Sequence, residues 1–154
     1  MSLLHFEDFS PGESLEYGDR LVTAEEIVEF AREFDPQPFH LDDEAGRETQ
    51  AGGLIASGWQ IAALLMRLNC DEFLLRCASQ GAPGTDEINW LKPVRPGDRL
   101  RVRRTTLSAR ASRSRPQTGL VEFLFEVFNQ NGEIVMTQKG PLFIGRRPAG
   151  QGAR

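Results

Sequence analysis

The sequence has little cysteine and little histidine, and this limits the chemistry it can carry. Cys70 and Cys77 are its only cysteines, and no Cys-x-x-Cys or cysteine/histidine cluster has the spacing of a zinc site. Of its two histidines, His5 lies in an N-terminal lead-in that we expect to be mobile, which leaves His40 as the candidate for chemistry. A Gly-x-Gly-x-x-Gly dinucleotide motif is also missing. We therefore predict no metal and no redox cofactor, in a reducing cytoplasmic setting.

Long apolar runs are missing as well. No stretch approaches the ~20 apolar residues of a membrane helix, and the N-terminus has no basic segment followed by an apolar one, so neither a membrane span nor a signal peptide is predicted. The chain has 154 residues, of which 40% are hydrophobic, and it shows no repeats and no linker. These features predict one domain over residues 1–144, followed by a flexible tail over residues 145–154.

Basic residues are scarce in one part of the chain, and acidic residues are scarce in another. Residues 1–50 hold fourteen acids and three bases, whereas residues 92–115 hold nine bases and one acid. Such asymmetry predicts that one surface meets an anion. Nucleic acid is disfavoured because no aromatic residues alternate with the bases, and the pI is about 5.3. A small phosphorylated ligand fits better; the alternative is a solvated strand face.

The most distinctive segment is the loop over residues 34–42. Asp35 precedes His40 by five residues, and Pro36 and Pro38 lie between them. Proline fixes its own φ and disfavours helical geometry in the residue before it, so the loop should be stiff. A stiff loop that holds a carboxylate and an imidazole suits general acid–base chemistry. The alternative is that the histidine has a purely structural role.

Helical patterns surround this loop. Thr23 and Glu26 have the spacing of a capping box, which predicts an amphipathic helix over 24–34. The acids at 42–44 favour the start of a short helix. The segment 54–68 is apolar almost all round, which predicts a buried central helix.

The second half of the chain is dominated by strand patterns. Together with a first strand over 13–22, we predict strands over 87–94, 100–109, 120–129 and 133–144. A long antiparallel sheet wrapped on one apolar helix is an α+β arrangement.

Three short blocks carry a resemblance to a known family. They are Asp35-x-x-Pro38-x-His40-x-Asp42, Gly53-Leu-Ile-Ala-Ser-Gly58 and Trp90-Leu-Lys-Pro-Val-Arg-Pro-Gly-Asp98. They resemble, in the same order, the catalytic, helix-opening and strand-turn motifs of the MaoC-like (R)-specific enoyl-CoA hydratases. The resemblance implies the hotdog fold, an antiparallel sheet wrapped around a long central helix. It also implies pairing into a homodimer or higher homo-oligomer.

The resemblance also implies a reaction, the addition or removal of water at an α,β-unsaturated acyl thioester. Asp35 and His40 would hold and activate the water and relay its proton. Backbone N–H groups near Ser57 and Gly58, at the start of a buried helix, would bind the developing oxyanion. The substrate would be an acyl-CoA, and no cofactor is implied beyond the coenzyme A that it carries.

Some residues depart from the family pattern or extend it. Gln37 replaces the usual Asn, Ser57 replaces the usual His, and Ala63 stands where some members have a serine. Arg113 and Arg115, in a stretch similar to one shared by a subgroup of MaoC-like dehydratases, are candidates for the coenzyme A phosphates. Two other functions remain open: a hotdog thioesterase, and a non-catalytic module that binds acyl thioesters.

Overall fold

The computed structural model describes residues 2–150, which form a five-stranded antiparallel sheet and three α-helices. The sheet order is β1-β3-β4-β5-β2. The strands are β1 Ser14–Leu21, β2 Glu87–Trp90, β3 Arg99–Ala111, β4 Thr118–Phe128 and β5 Ile134–Gly145. All five predicted strands are present, and β2 is shorter than predicted. The helices are α1 Ala24–Phe34, α2 Asp43–Arg47 and α3 Gly58–Glu72.

Helix α1 begins at the predicted capping box and delivers the chain to the stiff loop. The Thr23 hydroxyl accepts the Glu26 N–H at 3.2 Å, and the Glu26 carboxylate accepts the Thr23 N–H at 3.0 Å. Ile27 and Ala31 are fully buried. The helix ends at Phe34, immediately before the loop. Local sequence therefore fixes where this helix starts, which side it buries and where it stops.

Helix α3 differs from its prediction at its start and on its surface. It begins at Gly58 rather than at residue 54, because the N–H groups of residues 54–56 bond outside the helix: that of Leu54 to the Asp43 carboxylate, and those of Ile55 and Ala56 to backbone carbonyls of other segments. The Ala56 N–H, for example, donates to the Val94 carbonyl at 2.9 Å. The expectation of burial all round is also wrong: Trp59 is 59% exposed and Met66 is 47% exposed. Within one chain the helix has the sheet on one side only.

The core lies between α3 and the sheet. Strand β4 alternates as predicted, with these inward side chains buried: Val121, Phe123, Phe125 and Val127. Ile61 and Leu65 of α3 pack into the same cluster. A buried hydrogen bond of 2.6 Å, from the Tyr17 hydroxyl to the Asn69 side-chain oxygen, joins β1 to α3. Burial of these groups fixes how α3 crosses the sheet.

The N-terminal lead-in is anchored, contrary to expectation. His5 is 7% exposed. The Phe6 ring packs on β4 at Gly119, where an added Cβ would lie 2.0 Å from that ring. Leu4 pairs with Cys77 in an isolated bridge. The prediction of a mobile His5 was wrong because its neighbours Leu4 and Phe6 contact segments that lie far away in sequence.

The predicted tail over residues 145–154 is held at its start. The Arg147 guanidinium donates to the Asp8 carboxylate at 2.7 Å, and Arg146 hydrogen bonds to the same lead-in segment. Residues 151–154 lie outside the described residues. Over residues 2–150, no helix is long and apolar enough to cross a membrane.

Candidate active site

The loop that follows α1 places Asp35 and His40 side by side. The Asp35 N–H closes the helix by donating to the Ala31 carbonyl at 2.9 Å. Pro38 then opens a single 3-10 turn that ends at His40. The backbone of Gln37 links the two, since its N–H donates to the Asp35 carbonyl at 2.8 Å and its carbonyl accepts the His40 N–H at 2.9 Å. The stiffness predicted from the prolines is thus reinforced by backbone hydrogen bonds.

The Asp35 and His40 side chains face each other. Asp35 Oδ2 lies 3.3 Å from His40 Nε2, and the two side chains are 15% and 7% exposed, respectively. On the far side of the ring, His40 Nδ1 lies 2.7 Å from the Ile55 carbonyl. A carbonyl oxygen only accepts hydrogen bonds, so Nδ1 carries a proton. In the neutral ring the lone pair is therefore on Nε2, which faces the carboxylate.

Both oxygens of Asp35 accept a hydrogen bond. Gln37 Nε2 donates to Oδ1 and Ser57 Oγ donates to Oδ2, each at 2.7 Å. Burial alone would raise the pKa of Asp35. The two hydrogen bonds and the nearby His40 outweigh burial and hold the pKa of this carboxyl below its ordinary value. Asp35 is therefore a carboxylate at neutral pH.

The pair opens onto a cavity of about 510 Å³. The wall is mostly apolar, which suits an acyl chain, while the polar pair sits on one side. Besides Asp35 and His40, the lining includes Ile55, Ala56, Ile61, Leu91, Val94 and Val135.

Two tryptophans form one wall of this cavity. Trp59 and Trp90 meet edge to face, with ring centroids 5.0 Å apart. Trp90 Nε1 donates to the Gly58 carbonyl at 2.9 Å, and an added Cβ at position 58 would lie 2.5 Å from the Trp90 ring. Gly58 is therefore the residue that admits the indole.

The candidate site residues predicted from the sequence lie at two separate places in the structure. Asp35, His40 and Gly58 line the cavity, and the buried Ser57 hydroxyl bonds to Asp35 from behind. Arg113 lies in the turn between β3 and β4 and lines a separate cavity of about 500 Å³, with Arg115 in the same turn.

This turn is far from the acid–base pair within one chain. Val135, in the wall of the first cavity, and Gly145, beside the turn, stand at opposite ends of β5, separated by roughly 30 Å of strand.

Sequence reasoning missed three parts of the site. The Ile55 carbonyl gives no sequence signal, because every residue has one. Gln37 was identified only as a departure from a motif, not as a donor to Asp35. Trp90 was assigned to a strand-turn block, and its contact with Gly58 spans more than thirty residues. Chain pattern does not reveal such pairings.

The chain is similar to known proteins. The family described as "MaoC like domain" matches residues 8–123. The uncharacterized protein YdeM of Bacillus subtilis (strain 168) is 28% identical over 127 residues, which cover 82% of this chain and 89% of that protein.

The fold is also similar to that of two solved structures. The crystal structure of a MaoC-like dehydratase from Rhodospirillum rubrum is 40% identical, covers 94% of this chain and 99% of that one, and has a TM-score of 0.85. An (R)-hydratase from Pseudomonas aeruginosa is 22% identical, covers 94% of this chain and 88% of that one, and has a TM-score of 0.75. The second similarity, at its low identity, shows the hotdog fold alone.

Proposed function

The chain belongs to the MaoC-like dehydratase family, and from that premise we propose that it adds water to, or removes it from, an α,β-unsaturated acyl-CoA. The observation that carries this proposal is the Asp35–His40 pair, with its imidazole buried, beside a mostly apolar cavity. The acyl chain lies along the apolar wall, and the reacting double bond lies against the pair.

His40 is the group that moves the proton. With its Nδ1–H held by the Ile55 carbonyl, its Nε2 accepts a proton from the substrate water as the water oxygen bonds to Cβ. Asp35 orients that water by accepting a hydrogen bond from its second O–H, which stays on the oxygen and becomes the product hydroxyl. The same proton then passes from Nε2 to Cα, so one water supplies both new bonds. Dehydration is this sequence reversed.

The thioester oxygen gains charge as Cβ is attacked, and α3 begins beside it. The first N–H groups of a helix have no intrahelical partner, and the helix dipole is positive at that end. The Trp59 N–H donates to Ser57 Oγ, which serves as the N-cap. The Gly58 N–H is the donor assigned to the oxyanion, at a residue that lines the cavity.

The chain acts as a homodimer in this proposal. The exposed side chains Trp59 and Met66 of α3 lie on one helix face, and Trp90 and Leu91 are also exposed at the nearby sheet edge. Within residues 2–150, strand β2 pairs with β5 alone, so its other edge has free backbone groups. Pairing of β2 with its own copy covers both features.

Such a dimer also gives Arg113 and Arg115 a role. The cavity lies at the Trp90 end of β2. In an antiparallel pair of β2 strands, the partner's β5 extends beyond that end. The partner's β3–β4 turn then stands roughly 20 Å from that cavity, judged from strand spacing and rise. We assign these arginines of the partner subunit to the coenzyme A phosphates.

The test is a hydration assay on the purified protein. Crotonyl-CoA and a panel of longer and branched enoyl-CoAs are followed by loss of enone absorbance, with Asp35→Asn and His40→Ala beside the wild type. Asp71→Asn, which changes an exposed carboxylate of α3, is the matched control. Both site variants should lose about 10²-fold or more in kcat, and the control should keep wild-type kcat.

Other outcomes identify the alternatives. Release of free thiol instead of loss of the enone would make the protein a thioesterase. Binding of acyl-CoA without turnover, unchanged by Asp35→Ala, would make it a non-catalytic binding module. Either result overturns the hydratase proposal.

A further inference from the structure

The Asp35 carboxylate is held from two sides by neutral donors that do not belong to the acid–base pair. Gln37 Nε2 bonds to Oδ1 and Ser57 Oγ bonds to Oδ2. Gln37 is exposed, whereas Ser57 is fully buried. The two donors therefore approach from the solvent side and from the protein interior.

We propose that Gln37 and Ser57 are positioning residues that lock the Asp35 carboxylate against His40 Nε2 and so leave His40 as the group that transfers the proton. This inference rests on the proposed function and deepens it, because it assigns different tasks to the two members of the pair.

The geometry explains why two donors are needed. Rotation of a carboxyl group about its last torsion is broad and two-fold, so one hydrogen bond leaves the other oxygen free to swing. With one donor on each oxygen, Oδ2 stays 3.3 Å from His40 Nε2. An error of about 1 Å in the placement of a catalytic group can cost 10²-fold in rate.

Each donor is itself held in place. Ser57 is the N-cap of α3, and its Oγ accepts the Trp59 N–H at 3.3 Å. Gln37 is fixed through backbone hydrogen bonds to both Asp35 and His40. The carboxylate is thus tied to the start of the central helix on one side and to the turn of its own loop on the other.

Electrostatics acts in the same direction. Burial disfavours the charged form of Asp35, and the two donors and His40 offset it. His40 is the titratable group in contact with the carboxylate. Each oxygen has a second lone pair, so Asp35 still accepts a hydrogen bond from a water. A carboxylate stabilised in this way is a poor proton acceptor, but it can still orient that water by accepting a hydrogen bond.

The experiment removes one donor at a time. Gln37→Met keeps length and removes the amide on an exposed residue, and Ser57→Ala removes the buried hydroxyl. Gln117→Met, an exposed glutamine in the β3–β4 turn, is the matched control. Thermal unfolding identifies any variant that fails to fold. Gln37 is exposed, so Gln37→Met should fold, and it alone decides the test if Ser57→Ala does not fold.

Two readouts separate a positioning role from a structural one. On an active enoyl-CoA, kcat should fall roughly 10- to 100-fold with KM nearly unchanged. In the Asp35→Asn background, Gln37→Met should have no further effect, since it acts through Asp35. In a carbon-13 NMR titration of the free protein, the Asp35 carboxyl midpoint should move to higher pH in each variant, and stay in place in the control.

The result that overturns the inference is an unchanged kcat together with an unchanged Asp35 midpoint in both variants. The NMR titration needs no substrate. If the wild type is inactive on every thioester, the proposed function fails with the catalytic part of this inference, while the titration still decides whether the two donors hold the carboxylate.

Discussion

The indole N–H of Trp90 donates to the Gly58 carbonyl at 2.9 Å, and the ring lies so close to Gly58 that no side chain fits there. This contact joins the end of β2 to the first turn of α3. It sets the position of one wall of the cavity and of the proposed oxyanion donor together.

Gly58→Ala should therefore displace Trp90 and lower both stability and hydration activity. Helix propensity alone favours alanine by up to ~1 kcal/mol, whereas overpacking costs about 1–3 kcal/mol. Urea unfolding should show a net loss. In the Gly58→Ala/Trp90→Ala double variant the clash is relieved, so its loss should be smaller than the two single losses added. Simple additivity would contradict the packing argument.

Stability should depend on pH through Asp35. Its folded pKa is lowered because the donors and His40 outweigh burial. The carboxylate therefore stabilises the fold above the ordinary carboxyl range, and this contribution is lost as the pH falls through the lowered pKa. The gap in urea midpoint between wild type and Asp35→Asn should be largest near neutral pH and should close below about pH 4. A gap that widens on acidification would mean that folding raises the pKa of Asp35 instead of lowering it.

Pairing of two chains should depend on the exposed face of α3. Met66→Glu places a charge on that face, so it should shift the sedimentation mass from near twice 17.2 kDa toward one chain. Leu75→Glu, at a residue that is 78% exposed outside α3, is the matched control. Dimers that survive Met66→Glu would place the interface elsewhere.

The arginines of the β3–β4 turn should recognise the nucleotide end of the substrate and not the acyl end. Arg113→Ala/Arg115→Ala should raise KM for crotonyl-CoA about 10-fold or more, in line with loss of charge-assisted hydrogen bonds. KM for crotonyl-N-acetylcysteamine, which lacks phosphates, should not move.

The control for this prediction is Arg47→Ala/Arg67→Ala, which removes two exposed arginines that pair with carboxylates four residues away. Equal effects of the arginine pair on both thioesters would assign Arg113 and Arg115 a structural role.

Local chemistry was readable from the sequence where partners are close along the chain. The Thr23–Glu26 capping box fixed the start of α1, and the prolines around position 37 predicted a stiff loop that holds Asp35 near His40. Alternation predicted which side of β4 is buried. Each of these depends on residues only a few positions apart.

The predictions that failed concern features that depend on contacts between distant segments. Helix α3 starts at Gly58 because the N–H groups of Ile55 and Ala56 donate to backbone carbonyls of other segments, which apolarity alone does not reveal. The exposure of Met66 follows from the sheet covering one side of the helix only. The lead-in that contains the buried His5 is anchored because Phe6 packs on Gly119 of β4. A pattern records that a residue is apolar but not which neighbour will cover it.

Ile55 serves the site in two independent ways. The residue lines the cavity, and its carbonyl holds the proton on His40 Nδ1. No side-chain replacement removes a main-chain carbonyl. A substitution at position 55 should therefore change which acyl groups the proposed site accepts and leave the tautomer of the histidine as it is.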